Sequence, residues 1–164
     1  MIRHFNPEDA EPCCELIHAC LASDSQLSPA LYNALRNLET PQAMRKRSAL
    51  FYVAVYESTS GVVGVAGLDM NEVRLLFVSP NHQSQGIGGS LLNHLETMAP
   101  SSIFTDIFVY STPSAEGFYS RHSFKAMGEH IFDLNGVQLR TIFMIKLLRL
   151  SEQKLGKTNQ KNSG

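Results

Sequence analysis

The segment Leu75-Leu76-Phe77-Val78-Ser79-Pro80-Asn81-His82-Gln83-Ser84-Gln85-Gly86-Ile87-Gly88-Gly89-Ser90-Leu91-Leu92 carries an apolar strand into a glycine-rich turn and out again as a helix. The first N–H groups of a helix lack internal partners, and the helix dipole adds positive potential there. A strand–glycine turn–helix unit is therefore suited to an anion. Gly86, Gly88 and Gly89 present no Cβ to an approaching diphosphate. No Lys-Ser or Lys-Thr follows the glycines, which excludes a P-loop. The third spaced glycine of a dinucleotide fingerprint is also missing, and the turn follows the fourth strand rather than the first.

Outward from this turn, strand and helix signals alternate. Upstream come a short strand at Ile2–Phe5 and a helix from Pro7, with Asn6 before it and Glu8, Asp9 and Glu11 at its positive end. Ser28-Pro29 starts a second helix and Thr40-Pro41 a short third piece through Met44 and Lys46. Three strands follow closely: Phe51–Tyr56, Val62–Met70 and Glu72–Val78. Downstream lie a helix from Gly86 to Met98, a strand at Ile103–Tyr110 and a short helix at Pro113–His122. Two last strands, Phe124–Glu129 and Val137–Leu147, flank Asp133-Leu134-Asn135-Gly136. This order predicts an α/β (α+β) domain, a mixed sheet with helices on both faces.

The 164 residues fit one domain, expected over 1–150. The polar stretch 151–164, with only Leu155 apolar, reads as a disordered tail. With 43% hydrophobic and 18% charged residues and a net charge of −1, the chain is neither disordered nor globally basic, so no nucleic-acid partner is expected. Apolar runs are too short to span a membrane, and the first residues carry no signal core. Cys13, Cys14 and Cys20 lack framework spacing and read as reduced thiols, which points to a cytoplasmic setting. Metal ligation by these cysteines with His18 nearby lacks a second ligand pair, so no metal is expected.

Gln83-Ser84-Gln85-Gly86-Ile87-Gly88, directly after the Leu75–Pro80 strand end, resembles motif A of the GNAT superfamily of acyl-CoA-dependent N-acetyltransferases. Ser114-Ala115-Glu116-Gly117-Phe118-Tyr119-Ser120-Arg121-His122-Ser123-Phe124 resembles its motif B. The two stand about thirty residues apart in the family's order, and the resemblance covers residues 1 to 148. Two positions depart: Ser114 replaces the Asn of motif B, and Ser123 replaces the Gly before Phe124. Ser114 has a shorter reach toward the pantetheine. Ser123 is strained if its backbone is left-handed.

The resemblance implies a mostly antiparallel central sheet of six to seven strands with about four helices. It implies acetyl-CoA as acyl donor, with Phe77 and Val78 along the pantetheine arm. The backbone from Gln83 through Ser84, Gln85, Gly86, Ile87, Gly88 and Gly89 to Ser90 would hold the diphosphate, and Ser114 and Phe118 would complete the site. Tyr119 matches the family's general acid, since a phenol with an ordinary pKa of about 10 can protonate a departing thiolate. Glu72, eleven residues before Gln83, matches the glutamate base of the histone acetyltransferases. Asp69, His122 and His130 are substitutes by type.

The cysteines lie well upstream, so direct attack by the amine is expected rather than an acyl-cysteine route. The acceptor side would lie at Ser23–Ser48 and Glu129–Gly136. Arg36, Arg45, Lys46 and Arg47 there serve a solvated helix face or an anionic substrate, while Glu129 and Asp133 could hold a cationic amine. The expected function is acetyl transfer from acetyl-CoA to a primary amine of a small molecule or protein. The alternative is a non-catalytic acyl-CoA sensor. A homodimer is compatible with either.

Overall fold

A computed structural model describes residues 1–148; the stretch 151–164 assigned to a tail lies outside the described residues. The strands are β1 (Ile2–His4), β2 (Tyr52–Ser58), β3 (Gly61–Asp69), β4 (Glu72–Val78), β5 (Asp106–Ser111), β6 (Lys125–Leu134) and β7 (Val137–Leu147). The helices are α1 (Ala10–Ser23), α2 (Pro29–Leu38), α3 (Pro41–Leu50), α4 (Ile87–Met98) and α5 (Glu116–Arg121). One seven-stranded sheet runs β1-β2-β3-β4-β5-β7-β6. Every neighbouring pair is antiparallel except β4–β5, which is parallel.

The helix starts follow local chemistry. Ser28 and Thr40 each accept the N–H three residues on, and Pro29 and Pro41 occupy the first turn, where a missing N–H costs nothing. The third piece is a full helix, Pro41–Leu50, longer than the sequence implied. β5 begins at Asp106 rather than Ile103, which is exposed. β6 runs on to Leu134, and the hairpin turns on Asn135 and Gly136, both at positive φ.

The sheet has a core on each face. One joins Leu68 and Val73 to Leu91, Leu92 and Leu95 of α4. The other joins Val55 and Leu75 to Ile17 of α1 and Met44 of α3. β3 is buried throughout Val63–Leu68 because helices cover both its faces. Gly64 permits the close seating of α4, since a Cβ there would lie 2.9 Å from Leu91 Cδ1.

β4 carries the feature that positions the site. Gly67 pairs with Leu75, but Leu68 pairs with Val73, so Arg74 is an extra residue in the ladder. The bulge turns Val73 and Leu75 to opposite cores. Beyond it β4 and β5 part, and Glu72↔Phe108 is their one recorded pairing.

The N-terminal strand is tied down by charge. Arg3 donates to both Asp9 oxygens at 2.7 and 2.9 Å and also to Glu57. Asp9 is buried and accepts the Asn6 N–H at 2.7 Å. The Arg3 hydrogen bonds hold its carboxyl below the usual range, against the opposing effect of burial. A lowered folded-state pKa gives stability that is present above the unfolded value and is lost as pH falls through the folded one. Asp9→Ala, which leaves Arg3 without that partner, should destabilise by about 3 kcal/mol at neutral pH in chemical denaturation. The difference from wild type should shrink below about pH 4.

Candidate active site

The parted strands open a cleft with two lobes. The larger, about 640 Å³, runs between the bulged end of β4, β5 and the α1–α2 segment. The smaller, about 510 Å³, lies against the start of α4 and α5. Val78, Gln83, Ser114 and Tyr119 line both, so the lobes share a wall.

The small lobe has the character of an anion site. Gly86 takes the N-cap of α4 at φ 80°, and no side chain caps the helix. The first-turn N–H groups have no partner within the helix. Ser84, at φ 60°, turns the loop just before it. Gly88 and Gly89 let α5 approach: a Cβ on the first would lie 3.1 Å from the Phe118 ring, and on the second 2.8 Å from His122 Nε2. These residues fit a diphosphate bound by backbone dipoles.

Among the residues assigned to the cofactor, Val78, Gln83, Ser84, Gly86, Gly88, Gly89, Ser114 and Phe118 line the small lobe. Phe77 lines the large one. Gln85, Ile87 and Ser90 line neither. Ile87 is buried in the α4 core, Gln85 Nε2 reaches the Asn81 carbonyl, and Ser90 Oγ bonds the Gly86 carbonyl. Their side chains are thus turned to the protein itself, and only their backbone is left to face a ligand.

Tyr119 stands on the shared wall. It is 5% exposed and packs edge-on against Phe118 and Phe124. Its hydroxyl makes no hydrogen bond among the described residues. Burial pushes its pKa above the ordinary phenol value. Glu72 is not part of the cleft lining; its carboxylate accepts Arg74 Nη1 at 3.3 Å. His122 lines the small lobe, bonds the Phe118 carbonyl and stacks on the Phe118 ring. His130 is exposed beside Tyr110 and Phe132.

Three features escaped the sequence reading. Cys20, placed far from the reaction by its position in the chain, lines the large lobe, and its thiol donates to the Val78 carbonyl at 3.1 Å. Burial pushes that thiol up to about 11, so it stays protonated at neutral pH. Ser114, the shortened motif B residue, bonds Asp24 Oδ2 at 2.7 Å, ninety residues away. This bond links the α1–α2 segment to the wall shared by the two lobes. Glu39 and Arg47 form a two-bond ion pair at the far end of the large lobe. Residue spacing carries no signal for these partners, because each depends on how separate elements pack: α1 against β4, the α1–α2 segment against Ser114, and the end of α2 against α3. Ser123 has φ 71°, the left-handed conformation in which a side chain is strained.

The family model for an acetyltransferase (GNAT) domain matches residues 22–145. The fold of a GCN5-related N-acetyltransferase from Rhodopseudomonas palustris superposes with a TM-score of 0.84 at 20% identity, over 90% of this chain and 95% of that one. A phosphinothricin acetyltransferase from Sinorhizobium meliloti, solved in complex with acetyl-CoA, gives 0.69 at 19% identity over 90% and 88% of the two chains. An aminoglycoside 6′-N-acetyltransferase complexed with coenzyme A gives 0.65 at 16% identity over 92% and 98%. Among curated proteins, none matches. The chain belongs to the GNAT acetyltransferase family and is a transferase. Among the described residues no helix is long and apolar enough to cross a membrane.

Proposed function

We propose that the chain, as a single domain over residues 1–150, moves the acetyl group of acetyl-CoA to a primary amine by direct attack. The observation that carries this reading is the continuity of the cleft: a helix N-terminus with no side-chain cap at one end, parted strands in the middle, and between them a phenol with no hydrogen-bond partner among the described residues. The diphosphate would rest on the backbone from Gln83 to Ser90. The pantetheine would lie along Phe77 and Val78, between β4 and β5. Structures of two similar folds hold acetyl-CoA or coenzyme A, which supports that donor.

The amine would enter through the large lobe and attack the thioester carbonyl. The nitrogen–carbon bond forms, the carbon–sulfur bond breaks, and Tyr119 gives its proton to the leaving thiolate. The low dielectric that holds the phenol protonated also raises the basicity of the thiolate, which favours the transfer. Glu72, held by Arg74 outside the cleft lining, would take the amine proton through a water. Cys20, kept protonated, takes no acetyl group. Acetyl-CoA mixed with a panel of primary amines should release free CoA thiol and yield an acetylated product by mass spectrometry. Cofactor binding with no thiol release from any amine would favour the sensor instead.

A further inference from the structure

We propose that Arg74 selects the acceptor, and that this cleft takes amines bearing an anionic group a few bonds from the nitrogen, on an apolar body. The inference rests on the transferase reading above and names its substrate class. Arg74 is the extra residue of the β4 bulge. Bulges re-aim side chains and recur beside active sites. Here the bulge sets a guanidinium where β4 and β5 begin to part, on the wall of the large lobe.

The side chain is half-exposed and only loosely held. Its guanidinium carbon lies 5.9 Å from the centroid of the Phe51 ring, which helps to fix it in the lobe. Its one hydrogen bond among the described residues is the long 3.3 Å contact to Glu72, made by Nη1. A guanidinium has five N–H donors in a planar fork, so a two-bond face remains open for a carboxylate.

The other charged groups of the lobe are already engaged. Glu39 accepts both Arg47 terminal nitrogens at 2.5 and 3.0 Å. Asp24 accepts the Ser114 hydroxyl at 2.7 Å and the Gln26 N–H at 2.9 Å. Arg74 is thus the cation of this wall that lacks a two-bond partner among the described residues. Phe51, Phe77, Tyr110 and Leu139 give the same lobe apolar surface. Arg74 and Leu76 stand two residues apart on β4, about 6–7 Å. An anion on Arg74 thereby leaves an amine a few bonds away within reach of the parted strands.

The shared chemistry is an amine with a carboxylate or a phosphonate, and the test separates the two. Acetylation would be compared for phenylalanine and phenethylamine, for leucine and 3-methylbutylamine, and for 1-amino-2-phenylethylphosphonate. The wild-type protein should favour the acid over its decarboxylated partner by about 10-fold or more in kcat/KM. Preference for the phosphonate over phenylalanine would identify the larger anion. Arg74→Gln should lower the acid-to-amine ratio by about 10- to 100-fold, mainly through KM, and Arg74→Lys should restore part of it. The acetyl-CoA thermal shift should persist in both variants, showing folded protein with an intact donor site. Equal or better use of the decarboxylated amines by wild type, or an unchanged ratio in Arg74→Gln, would overturn this inference and leave the transferase reading standing. Absence of CoA release from every acceptor would bring down both.

Discussion

Tyr119→Phe should lower kcat for acetyl transfer by about 100-fold while changing KM for acetyl-CoA by no more than about 3-fold. The ring is held between Phe118 and Phe124, and Phe keeps all of that packing. What disappears is one hydroxyl without a partner among the described residues. The hydroxyl opens onto the cleft, so its removal should change stability by no more than about 0.5 kcal/mol. The variant should therefore melt close to the wild-type temperature, a result that separates a proton donor from a packing residue. A structural role predicts the reverse: lower melting temperature with kcat intact.

The pH profile tests the same assignment independently. Burial raises the Tyr119 pKa above the ordinary value of about 10, so the phenol stays protonated throughout the neutral and mildly alkaline range. The alkaline fall in kcat caused by its ionisation should begin above pH 10. A raised folded-state pKa gives stability that is complete below the unfolded value and is lost as pH rises through the folded one. Wild type should thus lose stability relative to the Phe variant only above about pH 10. Glu72→Gln gives the contrasting case. Its carboxylate is outside the cleft lining, so a loss of kcat at neutral pH with the acetyl-CoA thermal shift intact would support a water-relayed base, and no loss would remove Glu72 from the reaction.

The element order was legible because each helix start has its own local signal. Ser28-Pro29 and Thr40-Pro41 cap and start helices by themselves, and Gly86 stands where the chain needs a left-handed residue. The turn, Tyr119 and Phe118 were legible through two motifs whose spacing is local. Contacts across the sheet were not. The thiol of Cys20 reaches Val78 because α1 crosses the end of β4, and no sequence interval encodes that crossing. The Arg74 bulge was hidden for a related reason. The strand Glu72–Val78 carries no local mark of an insertion, and only the partner strand's register shows that a residue is inserted. Glu72 was chosen by its offset from Gln83. An inserted residue between them alters which face that offset reaches, because side chains alternate with a period of two.

Gly86→Glu should abolish the thermal shift given by acetyl-CoA. At about a hundred times its dissociation constant, a ligand of the folded state adds roughly 2.7 kcal/mol, or about 5–10 °C for a domain of this size. Gly86 has φ 80° and precedes the open N–H groups of α4. An ideal Cβ there meets nothing within 4 Å, so the substitution causes no clash and acts through charge and backbone preference. The carboxylate would sit where the diphosphate is proposed to bind and repel it. The left-handed backbone also costs a non-glycine residue about 1–2 kcal/mol, which lowers the baseline melting temperature by several degrees. Gly86→Asn separates the two effects, because Asn tolerates the left-handed region and carries no charge. The Asn variant should keep most of the acetyl-CoA shift, and the Glu variant should lose it. A Glu variant that still gained the full shift would move the donor away from the glycine turn and overturn the proposed orientation of the reaction. Loss in both variants would assign the effect to the geometry of the turn rather than to electrostatic repulsion of the diphosphate.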